Sequence, residues 1–311
     1  MDQRLNSAKF RDPAVTAKGE PRARVALARL ETLWFNTGTL CNIECGHCYI
    51  ESGPKNDRLA YLTAAEVAGF LDEIAAGGWG TREIGFTGGE PFMNPDILAM
   101  LEAALGRGFE VLVLTNAMKP LRRFEAGLAE LGARHGGRLT LRVSLDHYTE
   151  AVHDAERSAG SFEKTVDGIG WLAAHGFRLA LAARHFTAES EAELRAGFAA
   201  LIAAQGWKID AADPSQLVIF PEMDEMADVP EITTACWSIL GKSPDDVMCS
   251  SSRMVVKRKG AARPVVLAST LIAYDEQFEL GETLAEANRP VPLNHPHCAK
   301  FCVLGGASCS V

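Results

Sequence analysis

Short β-rich runs alternate with helical runs through the middle of this 311-residue chain, and no other feature of the sequence constrains its fold so strongly. Six segments read as strands: Thr32–Asn36, Glu83–Thr87, Glu110–Thr115, Leu139–Leu145, Arg178–Arg184 and Leu217–Phe220. Helical segments lie between most of them. Thr63-Ala64-Ala65-Glu66 has the form of a capping box ahead of Val67, Phe70, Leu71 and Ile74 at helical spacing, and Gly77 and Gly78 supply a stop. Asn94 and Pro95 are expected to open the next helix as N-cap and first helical residue. Ser161 is expected to cap the helix carrying Val166, Ile169 and Leu172, and Ser190-Glu191-Ala192-Glu193 is a second capping box. Strands alternating with helices imply parallel β-α units, because parallel neighbours need crossover connections. An open partial barrel and a doubly wound sheet both satisfy this pattern. In either, ligand chemistry gathers at the carboxyl ends of the strands.

Hydrophobic residues make up 47% and charged residues 23% of the chain, which permits a substantial core. The formal charge of −9 argues against a broad nucleic-acid-binding face. No apolar run approaches the roughly 20 residues of a membrane span, and Met1 to Pro21 lack an apolar signal core. A cytoplasmic protein with no membrane or nucleic-acid partner is therefore expected. Residues 1–28 read as a loose N-terminal arm and 29–225 as the β-α domain. In 226–311 the pattern changes. There Arg253–Lys257 and Pro264–Ala268 form a plausible hairpin around Lys259-Gly260, and the tail from Pro290 is rich in Pro, His, Gly and Cys.

The eight cysteines fall into an early trio and a late group, a distribution that suits metal or redox chemistry better than disulfides in a reducing compartment. The trio is Cys41-Asn42-Ile43-Glu44-Cys45-Gly46-His47-Cys48, directly after the first strand. A closed [4Fe–4S] site takes four cysteines, so three leave one iron with an open position for a ligand. Two other readings compete: half of a zinc site completed by Cys298-x3-Cys302, or unrelated buried thiols.

The C-x3-C-x2-C spacing resembles the signature of the radical S-adenosylmethionine (SAM) superfamily. The resemblance implies a partial (β/α)6 TIM-like barrel with a small C-terminal cysteine-rich extension. It also implies a [4Fe–4S] cluster on Cys41, Cys45 and Cys48 whose open iron chelates SAM. Thr87-Gly88-Gly89-Glu90-Pro91, after the second strand, is similar to the family's GGE motif, in which paired glycines admit a close backbone approach and Glu90 would accept from the SAM ammonium. Asn116 ends the third strand. Ser144 and Asp146 end the fourth, on one face, where they would serve the ribose. Downstream, His153-Asp154-x-x-Arg157 and Gly160-Ser161-Phe162 resemble radical SAM enzymes that modify peptides, and Arg157 is then a candidate for the SAM carboxylate. One departure is His47, where the family usually has an aromatic residue against the adenine. Tyr49, Tyr148 and Arg184 are further pocket candidates, and each is as readily explained by packing.

The late group, Cys249, Cys298, Cys302 and Cys309, resembles a shortened cysteine-rich extension of the SPASM or Twitch kind. It implies one auxiliary [4Fe–4S] cluster, with Cys236 spare and His295 and His297 nearby. The cysteine expected soon after Gly260 is missing, and the terminal spacing departs from the standard one. A four-cysteine zinc knuckle is the alternative. The resemblance further implies an electron donor such as flavodoxin or ferredoxin and a peptide or small-molecule substrate. It stands against a zinc-stabilised binding module and a two-cluster electron carrier without SAM chemistry.

Overall fold

The computed structural model describes residues 4–222, 224 and 226–305. In chain order the elements are β1 (Arg24–Val25), β2 (Thr32–Asn36), α1 (Ala64–Gly77), β3 (Glu83–Thr87), α2 (Ile97–Gly106), β4 (Glu110–Thr115), α3 (Lys119–Arg122), α4 (Glu125–His135) and β5 (Leu139–Ser144). There follow α5 (Glu150–Arg157), α6 (Ser161–Ala174), β6 (Arg178–His185), α7 (Glu191–Gln205), β7 (Leu217–Pro221), α8 (Cys236–Leu240), β8 (Ser252–Val256), β9 (Val265–Leu267), β10 (Glu279–Gly281), β11 (Val291–Pro292) and a π-helix over Cys298–Leu304.

Strands β2 to β7 lie side by side in sequence order, each parallel to the next. A right-handed crossover that always steps in one direction puts every connecting helix on the same face. A sheet covered in that way curls with its helices outside, giving a partial (β/α)6 barrel. A doubly wound sheet needs a reversal of strand order among its β-α units, and β2 to β7 have none. The strands read as near-continuous apolar runs because parallel strands are covered on both faces: all of β2 is buried, and so is β3 after its first residue.

The local signals act where their chemistry places them, with two corrections. Both capping boxes form, Thr63 with Glu66 and Ser190 with Glu193, and Gly78 ends α1 in the left-handed conformation at φ 60°. Asn94 does not cap α2. Its Oδ1 accepts from the Asp96 amide (2.9 Å) while its Nδ2 donates to Thr37 O and Leu62 O, so its side-chain amide is spent on a local turn and on tertiary contacts, and the helix starts at Ile97. Ser161 is the first residue of α6 rather than its cap, because its hydroxyl is drawn to Asp154 Oδ1 at 3.0 Å and Gly160 takes the cap position at φ 71°.

The hairpin β8–β9 forms as expected, but it does not stand apart. Strand β8 pairs in parallel with β2, from Thr32↔Ser252 to Phe35↔Val255, so β8, β9 and β10 extend the same sheet to nine strands. The N-terminal arm is not loose over its described residues. The buried Arg22 guanidinium pairs with Glu231 and donates to Asp12 O, Val15 O and Leu293 O, and β1 pairs with β11. Burying a charge without such partners would be costly, so Arg22 pins the arm to the body. Among the described residues, no helix is long and apolar enough to cross a membrane.

Candidate active site

The cysteine loop leaves the carboxyl end of β2 and borders a cavity of about 180 Å³. Cys41 is buried and Cys45 and Cys48 are half-buried, and all three line that cavity. The Cys41 amide donates to Gly53 O at 3.1 Å, and Cys48 Sγ accepts from the Ser52 amide at 3.3 Å. Burial pushes the Cys41 thiol up to about 12, a rise that the Ile43 amide counters and the neighbouring Glu90, Cys45 and Cys48 charges increase. Burial also raises Cys45, while the Arg157 and Arg184 guanidiniums oppose it. Burial disfavours the thiolates of Cys41 and Cys45, which would also repel each other, so a cationic metal centre at this loop would stabilise their deprotonated forms. Among the described residues no three His, Cys, Asp or Glu groups converge to hold a single ion. Three cubane corners sit on separate irons and need no such convergence.

The end of β3 lies against this loop. A Cβ on Gly89 would stand 2.3 Å from Leu40 O and 2.6 Å from Thr39 O, and Gly88 has φ 144° with a would-be Cβ 2.5 Å from Gly38 O. The two glycines therefore let two backbones meet, and they also line the cavity. Glu90 turns inward and is not among the lining residues. Its carboxylate accepts from the Phe92 amide (3.1 Å), Thr115 Oγ1 (2.9 Å) and the Asn116 amide (2.8 Å). Burial lifts its pKa to about 7 against those three bonds. A carboxylate has about four acceptor sites, so one remains open to a further donor.

Asn116, at the end of β4, faces the cavity and links its wall to the cysteine loop, with Nδ2 at 2.9 Å from Asn42 Oδ1 and 3.8 Å from Cys41 Sγ. Ser144, the last residue of β5, and Asp146, two residues beyond it, line the cavity together. Asp146 is buried and accepts two bonds from Arg157, from Nε at 2.8 Å and Nη2 at 3.0 Å. Burial opposes ionisation of Asp146, but Arg157 outweighs it and holds the carboxyl below its usual range. The Asp146 amide donates to His153 Nδ1 at 3.2 Å, which leaves the proton of a neutral imidazole on Nε2. Burial, aided by Arg157, depresses the His153 pKa to about 4.

His47 lines the cavity beside the thiols, with half its side chain exposed, and bonds Glu156. Of the other aromatic candidates, Tyr49 lines the cavity and Tyr148 does not: it stacks on His147 and donates to Glu189. Arg184 lines it too. The lining also includes residues the sequence did not mark out: Ser52, next to Cys48, and Phe220, Leu271 and Phe301. Phe220 and Phe301 stack with centroids 5.8 Å apart. Arg142, buried at the cavity wall, shares the inward face of β5 with Ser144, and alternation along the strand was the one signal that could have flagged it. Ser52 Oγ and Arg184 Nη2 are buried with no hydrogen-bond partner among the described residues, as in a wall shaped for a polar ligand.

The late cysteines lie behind that wall. Cys249 precedes β8, and Cys298 and Cys302 sit on the π-helix that brings Phe301 to the cavity. Cys249 and Cys298 are buried; burial raises Cys249 to about 11 against Arg253, and it raises Cys298 further with the Cys249 charge adding to it. Cys236 is elsewhere engaged, accepting from the Thr233 amide at 3.3 Å. His295 and His297 stand with ring centroids 4.9 Å apart on the approach to the π-helix. Cys309 lies outside the described residues.

Residues 35–187 match the Radical SAM superfamily. The antilisterial bacteriocin subtilosin biosynthesis protein AlbA of Bacillus subtilis (strain 168) is 34% identical over 137 residues, covering 44% of this chain and 29% of AlbA. The mycofactocin maturase MftC of Mycobacterium ulcerans (strain Agy99) is 31% identical over 137 residues, covering 44% of this chain and 35% of MftC. This chain thus spans a minority of the length of either relative. In three dimensions, Streptococcus suis SuiB bound to its precursor peptide SuiA superimposes with a TM-score of 0.62 at 12% identity, over 85% of this chain and 66% of SuiB. The structure of anSMEcpe with bound AdoMet gives 0.60 at 12% identity, over 88% and 83%. These two likenesses establish a shared fold.

Proposed function

We propose, from the premise that this chain carries a radical SAM domain over residues 35–187, that it cleaves SAM reductively and abstracts hydrogen from a peptide substrate. The observation that carries the reading is the meeting of Cys41, Cys45 and Cys48 with Gly88, Gly89, Asn116, Ser144 and Asp146 around one cavity. A [4Fe–4S] cluster bound there would supply the electron that splits the sulfonium–carbon bond and frees a 5′-deoxyadenosyl radical.

The protein's own tasks are to bind, orient and exclude water. Gly88 and Gly89 seat the end of β3 on the thiol loop and present its backbone to the cofactor. Glu90 keeps one acceptor site for the SAM ammonium. Asn116, Ser144 and Asp146 serve the ribose. Arg157 lends positive charge beside Cys45, although two of its nitrogens are already held by Asp146. Phe220, Leu271 and Phe301 form the apolar wall on which a substrate would rest.

A peptide substrate is supported by the names of AlbA, a bacteriocin biosynthesis protein, and MftC, a maturase, and by the fold shared with peptide-bound SuiB. A small molecule is the alternative, since an AdoMet-dependent heme synthase and a GTP 3′,8-cyclase are also relatives. Cys249, Cys298, Cys302 and Cys309 would hold the auxiliary [4Fe–4S] cluster, and a flavodoxin or ferredoxin in a reducing cytoplasm would supply electrons. Anaerobic reconstitution with iron, sulfide, SAM and a strong reductant should yield 5′-deoxyadenosine and methionine. Iron-loaded protein that leaves SAM intact would refute the proposal.

A further inference from the structure

Three hydrogen bonds converge on Glu156, the penultimate residue of α5. Its backbone oxygen accepts from the Gly46 amide at 2.9 Å. Its Oε2 accepts from His47 Nδ1 at 2.7 Å and from Arg184 Nη1 at 3.0 Å. Gly46 and His47 are the two residues between Cys45 and Cys48. Both are exposed and lie in a turn outside any helix or strand. Cys41 has its own tether to Gly53 and Cys48 its own to Ser52, whereas the segment between Cys45 and Cys48 is anchored through Glu156. The Glu156 side chain is only 13% exposed, as is that of Arg184, so this pair is less screened than a surface pair, whereas the His47 side chain is half exposed. Arg184 lines the cavity and is further fixed by the Phe186 ring, 5.3 Å from its guanidinium carbon; its Nη2 is buried without a hydrogen-bond partner among the described residues.

We propose that Glu156 is a positioning residue for the thiolate loop. It ties the Cys45–Cys48 segment to α5 through one backbone and one side-chain bond, and the same carboxylate oxygen holds Arg184 beside the thiols. The departure at position 47 then has a physical role. An imidazole donates to a carboxylate, which a hydrocarbon ring does not, so His47 is anchored to Glu156 while still lining the cavity. The role in metal binding rests on the proposed function above, because partners that orient ligating groups matter to a cluster only if the trio holds one. The anchoring itself does not depend on that reading.

The test uses the full chain and the variants Glu156→Ala, Glu156→Gln and His47→Phe. In the iron-free protein, iodoacetamide labelling of each cysteine is followed over time by mass spectrometry. Loss of bonds to a charged acceptor should speed labelling of Cys45 and Cys48 by about tenfold in Glu156→Ala. Cys41 and Cys249 should keep wild-type rates. Glu156→Gln, which retains an acceptor oxygen, should restore part of the protection. His47→Phe should lose the side-chain anchor alone and fall between wild type and Glu156→Ala. In the iron-loaded protein, iron release to a chelator should quicken by about 10–100-fold in Glu156→Ala, and the electron paramagnetic resonance spectrum of the reduced cluster should change. A purely structural role would lower Tm while labelling all buried cysteines alike. If Glu156→Ala unfolds, Glu156→Gln decides by the same labelling ratio. Wild-type labelling of Cys45 and Cys48 in a folded variant overturns the proposal. Failure of the wild type to bind iron sinks the cluster reading instead and leaves the labelling result standing.

Discussion

Replacing Arg157 by Ala should destabilise the fold through the carboxylate it leaves behind. Asp146 is 2% exposed, and Arg157 occupies both of its oxygens. Removing one partner of a buried pair typically costs about 3–5 kcal/mol, because the remaining charge is uncompensated. Two features move the value to the lower end: the pair borders an open cavity, and Arg184 also lowers the Asp146 pKa. A loss of about 3 kcal/mol at pH 7 is expected, a Tm shift of roughly 5 °C for a chain of this size. Urea denaturation of metal-free wild type, R157A, D146N and a double variant with apolar residues at both sites measures it. The double variant should lose less than R157A, since it buries no lone charge.

The pH dependence has a definite sign. In the wild type the folded pKa of Asp146 lies below its unfolded value, so its stabilisation is present above about pH 3.9 and is lost only as pH falls through the folded pKa. In R157A burial dominates and the folded pKa moves above the unfolded one. The gap between the two proteins should therefore narrow as pH falls from 7 toward 4. A difference under about 1 kcal/mol, independent of pH, would show the pair to be solvent-screened and refute the reasoning.

Gly89→Ala should cost about 1–3 kcal/mol or more by overpacking, since its Cβ would meet the carbonyls of Leu40 and Thr39, and it should displace the thiol loop; iron bound after reconstitution reads the second effect. His153 is buried and neutral, with a folded pKa of about 4 against about 6.5 unfolded, so the unfolded chain binds more protons between those values. Stability should accordingly decline as pH falls through that window, by up to about 3 kcal/mol, and His153→Asn should flatten the decline in denaturation curves taken at each pH. If both proposed clusters form, Cys302→Ala should lower iron from about eight to about four atoms per chain and leave SAM cleavage at the Cys41, Cys45 and Cys48 site unchanged; iron analysis and product chromatography measure the two halves.

Much of the barrel was legible because its signals are short-range. Helical periodicity and the Thr63 and Ser190 boxes depend on residues within one turn, and those elements formed as expected. Asn94 and Ser161 carried equally good local signals, yet Thr37, Leu62 and Asp154 recruited their side chains. A cap residue is also a general hydrogen-bonding group, and the most favourable partner available in the folded chain takes it. Gly88 and Gly89 were read as admitting a ligand close to the backbone, whereas what they meet in the fold is the backbone from Gly38 to Leu40, which could not be named in advance.

By itself the sequence determined the alternation of strands and helices, the three-thiol loop after the first strand and the inward pair Ser144 and Asp146, since each is written in the spacing of neighbouring residues. Only the tertiary structure decided the one-way strand order, the addition of β8 beside β2, the stacking of Phe220 on Phe301, and the contact of Glu156 with His47 and Arg184. Those partners are far apart along the chain. Spacing says which way a side chain leaves its own strand or helix, and the path of the whole backbone sets what it meets there.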